Sequence, residues 1–321
     1  MMADALELGF TPPYHWKSIN DFLAARATPG IEVVHGERYR RTITMNGQHG
    51  IIEVAPVDSG RALAATIRFP DEAARPGIVG RIRRVFDLDA DVGPIAAHLG
   101  ADPLLGPLIA ARPGLRVPGA WDGFELAVRA ILGQQITVSG ARRLIGRLVE
   151  LLGEPLRASA GDIPGLAAVF PTPERVAAAD LTVLGMPRAR ASAISQLAAV
   201  ATADPNLFRR DGSLEAAITR LIALPGIGDW TAHYVAMRAL REPDAFPAAD
   251  VGLLRAMTGP DGRRPTPAAL LARAEEWRPW RAYAAQHLWT ELAADSALCA
   301  ATSREAPVLP NDAGSGRMPL S

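Results

Sequence analysis

Lysine is almost absent from this chain of 321 residues: of its 34 basic side chains only Lys17 is lysine, and the rest are arginine. Chemistry through an amine nucleophile or a Schiff base therefore has no candidate beyond the N-terminal region. Cysteine is reduced to Cys299, which excludes a disulfide within the chain and any four-thiolate zinc or iron–sulfur site. The six histidines show no metal-ligand spacing. Neither sign of charge is in excess, with 34 basic residues against 34 acidic ones. Nucleic-acid binders usually present a basic face, so any such function must rest on where the charges lie. No apolar run reaches the ~18–20 residues that span a bilayer. The opening MMADALELGFTPPYHW also lacks the basic and apolar regions of a signal peptide, and a cytoplasmic protein without membrane contact is expected.

What is present separates into two textures. Trp16, Ile19, Phe22 and Leu23 follow helical spacing. Then IEVV (31–34), YRRTITM (39–45), GIIEVAPV (50–57) and LAATIRF (63–69) are short, β-branched and punctuated by glycine. Asn46-Gly47 between two of them is a two-residue hairpin signal. About four antiparallel strands are expected, closed by a helix over 78–88. Beyond about residue 92 helical patterns follow one another with short Gly/Pro breaks, as in a domain of packed helices. The expected architecture is α+β: a small antiparallel-sheet domain over 1–91, an all-helical domain over 92–302, and a disordered tail, 303–321, rich in Gly, Pro and Ser.

Within the helical part, SLEAAITRLIA, LPGIG and DWTAHYVAMRAL read as helix, hairpin, helix. Gly226 and Gly228 suit unusual backbone angles and the close approach of another chain. The second helix then opens with N–H groups aimed at the turn, a concavity that binds phosphate without a cationic side chain. From these residues alone a plain interhelical turn is the more ordinary reading. The carbonyls of Ile222, Leu224 and Ile227 are candidates to hold a monovalent cation. Trp230 and Tyr234, four residues apart, share a helix face, either as core aromatics or as a platform for a base. Asp250, in FPAADVGLLRAM, is placed to cap the helix that follows it, and its carboxylate could also stabilise a developing positive charge.

LPGIGDWTAHY followed by Asp250 resembles the helix-hairpin-helix DNA glycosylases, and within them the bacterial inducible 3-methyladenine type. PPYHWKSINDFLAARA, AARPGLRVPGAWDGFELAVRAILGQQIT, FPTPERVAAADL, LGMPRARA and RPWRAYAAQHLW look like family segments in family order, so the likeness covers nearly everything from Thr11 to about Asp295. It implies a monofunctional enzyme in base excision repair, excising alkylated bases from duplex DNA as a monomer. A protein that binds damaged DNA without catalysis is the alternative. The resemblance makes Asp250 the essential carboxylate, and Trp230, Tyr234 and Trp289 the base pocket, with Phe22 contributing from the N-terminal domain; the base is expected between indole and phenol. DNA contacts fall to Leu224, Gly226, Ile227, Gly228 and Thr231, and to Gln135 as the wedge that fills the gap left by a flipped nucleotide. Arg129, Arg142, Arg143, Arg147, Arg188 and Arg190 are candidates for phosphate. Val251 and Thr290 stand where the family places further aromatics, so a pocket that is wider or less selective for particular bases is expected. No cofactor is implied beyond a sodium or potassium ion at the hairpin, and no iron–sulfur cluster. Trp230 stands near where related strand-cleaving enzymes carry a lysine, so no lyase step is expected.

Overall fold

The computed structural model describes residues 5–156 and 163–304, with side chains to residue 295; the expected tail lies outside these from residue 305 onward. Five strands, β1 (Leu6–Gly9), β2 (Glu32–His35), β3 (Arg38–Met45), β4 (Gln48–Pro56) and β5 (Ala62–Arg68), form one antiparallel sheet in the order β1-β5-β4-β3-β2. Four of them come from the runs identified in sequence. The fifth, β1, is a correction: LELG is too short to show a period, and it exists by pairing with β5, Leu6 opposite Ala65 and Gly9 opposite Ala62. Asn46 and Gly47 both have positive φ, 52° and 71°. That is the mirror-image turn whose twist suits a hairpin, and Met45 faces Gln48 across it.

Helices α1 (Trp16–Arg26) and α2 (Arg75–Val85) pack with the sheet around Trp16, Ile19, Phe22, Ile52, Val54, Ile78 and Ile82. This core also takes in Leu115 and Trp121. The helical part is built from α3 (Val92–Gly100), α4 (Leu105–Ala111), α5 (Gly123–Gly133), α6 (Val138–Leu152), α7 (Pro173–Ala178), α8 (Arg188–Ala203), α9 (Leu214–Ile222), α10 (Asp229–Arg238), α11 (Val251–Ala256), α12 (Pro267–Ala274) and α13 (Arg281–Arg304). Its core centres on Ile131, Leu148, Ile194, Leu197, Leu221, Val235 and Trp277.

Buried ions join the two parts. Arg41 of β3 donates to Glu125 of α5 at 2.7 Å, and Arg129 of α5 donates to Glu32 of β2 and to Glu125, each at 2.9 Å. The Tyr39 hydroxyl and the Thr28 N–H complete the Glu32 carboxylate at 2.6 and 2.9 Å. Burial by itself would raise the Glu32 carboxyl, yet Arg129 and Arg41 hold it well below the usual carboxylate range. Arg129 therefore cannot meet phosphate as the sequence suggested: its side chain is 17% exposed and engaged by two carboxylates. Arg142 is half-buried, and its Nε donates to the Ala27 carbonyl at 2.8 Å. Beside this network lies a cavity of about 20 Å³, room for about one water.

Two outcomes follow from this packing. Arg41→Met leaves Glu32 and Glu125 short of a partner, and should lower the unfolding free energy by about 3–5 kcal/mol, read as an earlier denaturation midpoint. An unmoved midpoint would remove the network from the stability of the domain junction. The second concerns His287 of α13, buried at 4% exposure. Burial, with help from Arg112 and His15, pushes its pKa from 6.5 to about 4. Below pH 6.5 the unfolded chain takes up a proton that the folded chain refuses down to about 4. Stability should thus rise with pH across that window, by about 3 kcal/mol in all. His287→Gln should flatten the slope of the denaturation midpoint between those pH values.

Candidate active site

The hairpin is held from below. Ser213 caps α9, its hydroxyl accepting from the Ala216 N–H at 3.3 Å. Leu224 and Ile227 are buried at 9% and 4% exposure and belong to the helical core. Their side chains anchor the turn, so the backbone of 224–228 and the half-buried Pro225 ring are left to face a partner. Gly226 has φ +75°, and a Cβ there would come within 2.6 Å of the Ala193 Cβ. Gly228 differs from expectation: its φ of −88° is open to any residue, and a Cβ there would meet nothing within 4 Å. As N-cap of α10 it supplies no side chain to the helix, so the leading N–H groups of Asp229 and Trp230 lack a side-chain cap.

The aromatic pair begins in the first turn of α10. The Trp230 and Tyr234 rings stack with centroids 5.2 Å apart and planes 9° from parallel, and Trp289 of α13 meets Tyr234 edge-on at 6.2 Å. Asp250 caps α11, its Oδ1 accepting from the Leu253 N–H at 2.9 Å. The same oxygen accepts from Trp289 Nε1 at 2.8 Å, and Oδ2 accepts from Trp230 Nε1 at 2.8 Å. One half-buried carboxylate thus gathers both indoles. The Tyr234 hydroxyl accepts from Arg238 Nη1 at 2.6 Å. Burial would raise this phenol's pKa, but the guanidiniums of Arg238, Arg26 and Arg129 outweigh it and bring it below the ordinary tyrosine value.

The comparisons with known proteins fall on both parts of the chain. The AlkA N-terminal domain family matches residues 5–122, and the HhH-GPD superfamily of base excision DNA repair proteins matches residues 128–282. DNA-3-methyladenine glycosylase 2 of Escherichia coli is 37% identical over 285 residues, 88% of this chain and 95% of that one. The chain belongs to the AlkA family of this superfamily. A probable bifunctional transcriptional activator/DNA repair enzyme AlkA of Mycobacterium tuberculosis is 40% identical over 90% of this chain, which spans only 57% of that relative's length. A 3-methyladenine DNA-glycosylase structure from Archaeoglobus fulgidus shares the fold, with a TM-score of 0.78 at 23% identity over 91% of this chain and 99% of that one.

Several residues singled out in sequence sit differently in this AlkA family member. The gap between Trp230 and Tyr234 admits no base, because a sandwich needs roughly 7 Å, two contacts of about 3.5 Å each. Of the two outer faces, that of Tyr234 lies toward the Arg238 guanidinium, 5.3 Å from its ring centroid. Phe22 does not line the cleft: it is 8% exposed, and the Arg238 guanidinium lies between it and Tyr234, 4.8 Å from one ring and 5.3 Å from the other. Thr231 is 1% exposed, so its side chain offers DNA nothing. Gln135 is exposed with φ +60°, a left-handed backbone rare for a residue with a side chain. Exposed Ile136 and Val138 follow it. Val251 is 63% exposed, and the Thr290 hydroxyl donates back to the Gln286 carbonyl at 2.7 Å. Arg143, Arg147 and Arg188 are exposed, Arg147 donating to the Val183 carbonyl at 3.3 Å, whereas half-buried Arg190 donates to the Gln134 carbonyl at 2.9 Å.

Two residues that sequence reasoning passed over join these parts. Gln134 Nε2 lies 3.0 Å from both the Gly226 carbonyl and the Thr231 hydroxyl, tying the Gln135 loop to the hairpin. Arg238 holds Tyr234. The second had a signal, since it stands four residues from Tyr234 on one helix; the first had none beyond adjacency to Gln135. The two hairpin glycines should separate cleanly on substitution. Gly226→Ala should cost about 1–3 kcal/mol of stability through strain and overpacking, visible in thermal melts. Gly228→Ala should melt like the parent while binding duplex DNA more weakly, because its methyl group faces outward.

Proposed function

We propose that this chain is a monofunctional DNA glycosylase that flips alkylated purines of the 3-methyladenine and 7-methylguanine type out of duplex DNA and leaves an abasic site. Asp250 carries the reading: a carboxylate pinned by two indole N–H groups beside a stacked indole–phenol pair, on the helix that the hairpin opens. An N-alkylated purine bears a formal positive charge, so its glycosidic bond is weakened and the base departs without general acid help. Electron-rich rings favour that cation by roughly 0.5–2 kcal/mol each. As the bond breaks, positive charge passes to the sugar, where the Asp250 carboxylate stabilises it or orients the attacking water. Flipping costs a few kcal/mol, least for a damaged pair, and Gln135 fills the vacated place.

The open amides at the start of α10 suit a backbone phosphate. A sodium or potassium ion at the carbonyls of Ile222, Leu224 and Ile227 would bridge the hairpin to that phosphate. The fit is sound in kind: Ile222 ends α9, and the Leu224 carbonyl accepts one hydrogen bond, from the Ile227 N–H, keeping a second lone pair. A strand-cleaving step needs an amine at the anomeric carbon. The single lysine, Lys17, is exposed on α1 and paired with Asp21 at 2.6 Å, so no lysine is available.

Methylated duplex DNA incubated with the protein should release free alkylated purine, measured by chromatography, with strand breaks only after alkali. Asp250→Asn should slow release by roughly 10²–10³-fold while duplex affinity changes little. Binding without release would replace this reading with that of a damage sensor, and breaks before alkali would overturn the monofunctional part alone.

A further inference from the structure

We propose that Arg238 is a positioning residue for the base pocket: it fixes the Tyr234 phenol and links it to the N-terminal domain. This rests on Trp230, Tyr234 and Trp289 being the rings that receive the flipped base. Arg238 closes α10 at 7% exposure. Its Nε donates to the Pro118 carbonyl and its Nη2 to the Gly119 carbonyl, each at 2.9 Å. Both carbonyls lie in the segment that leads from the N-terminal core into α5. Nη1 remains for the Tyr234 hydroxyl, at 2.6 Å. A planar group held in two directions by backbone cannot swing, so the third direction pins the phenol.

What that pinning controls is the stack. Tyr234 is packed against Trp230 on one side and Trp289 at its edge, and both indoles are tied to Asp250. A phenol free to slide would shift the ring platform relative to the carboxylate. On its other face the Arg238 guanidinium lies 4.8 Å from the Phe22 ring, and Arg26 covers that ring at 3.8 Å. Phe22 and Arg26 both belong to α1, so the N-terminal domain reaches the pocket through arginine rather than by lining it. The charged groups facing the hydroxyl are Arg238 on α10, Arg26 on α1 and Arg129 on α5. All three are donors without acceptor capacity.

A double-mutant cycle tests this. Single-turnover release of 7-methylguanine from duplex DNA is compared for the parent, Arg238→Met, Tyr234→Phe and the double variant. Each single change should slow release about tenfold, with affinity for undamaged duplex within about twofold. The double variant should be no slower than the slower single, because both changes cut one path. An Arg238 that served only the fold would multiply the defects to about a hundredfold. Ultraviolet difference titration against Tyr234→Phe reads the link directly: ionisation of Tyr234 should move to higher pH in Arg238→Met. Multiplying defects or an unmoved titration would overturn the proposal. Should Arg238→Met fail to fold, Arg238→Gln, which keeps an amide donor for one carbonyl, takes its place in both measurements. Parent protein that releases no base sinks the glycosylase reading together with this one. Release by the parent with multiplying defects sinks this one alone.

Discussion

The Asp250 carboxylate accepts from three donors on three different helices: its own α11 through Leu253, the hairpin helix through Trp230, and α13 through Trp289. Capping a helix and building the site are here one interaction. Removing the carboxylate would leave an exposed helix start and two indole N–H groups in a partly buried place, each short of an acceptor. The two indoles are held in place by the same bonds. Trp230 cannot turn toward a base without releasing Oδ2, and Trp289 cannot without releasing Oδ1. The platform and the charge it stands beside therefore move together or not at all.

Behind that platform the chain uses arginine as structure. Arg116, fully buried, donates to the carbonyls of Asp87, Ala90 and Thr11. Arg238 serves two carbonyls and a phenol, and Arg129 and Arg41 share Glu32 and Glu125 between the domains. Lysine presents a point charge, whereas the guanidinium is a flat fork able to satisfy several acceptors at once. A chain with almost no lysine can bury this many cations only because each is met by carboxylates or carbonyls. Isolated, any of them would cost several kcal/mol.

Much of this was legible beforehand, for definite reasons. The Asn46-Gly47 hairpin, the helix-hairpin-helix and the capping place of Asp250 are local patterns, set by backbone angles and short-range hydrogen bonds. Tyr234 and Trp230 share one face, since helix periodicity decides that. The misreadings share a different character. Arg129 looked like a phosphate contact because an arginine in sequence carries no sign of what it will meet, and its carboxylates lie on another domain. Thr231 follows the hairpin tryptophan and Phe22 lies on α1, yet burial turns one inward and the Arg238 guanidinium lies against the other. Strand β1 was invisible because four residues cannot show a period, and only its partner across the sheet makes it a strand.

Sequence alone determined the two-part α+β organisation, the glycine-bearing hairpin, the family, and a carboxylate at the head of a short helix twenty residues beyond the hairpin tryptophan. Each depends on contacts between near neighbours or on motifs that keep their order. Tertiary structure decided which arginines are engaged by carboxylates and carbonyls, that Trp230 and Trp289 meet on the Asp250 carboxylate, and that the N-terminal domain touches Arg238 through Phe22. Those outcomes depend on groups tens to more than a hundred positions apart meeting with desolvated charge. Such meetings are settled by packing, not by any pattern a linear chain displays.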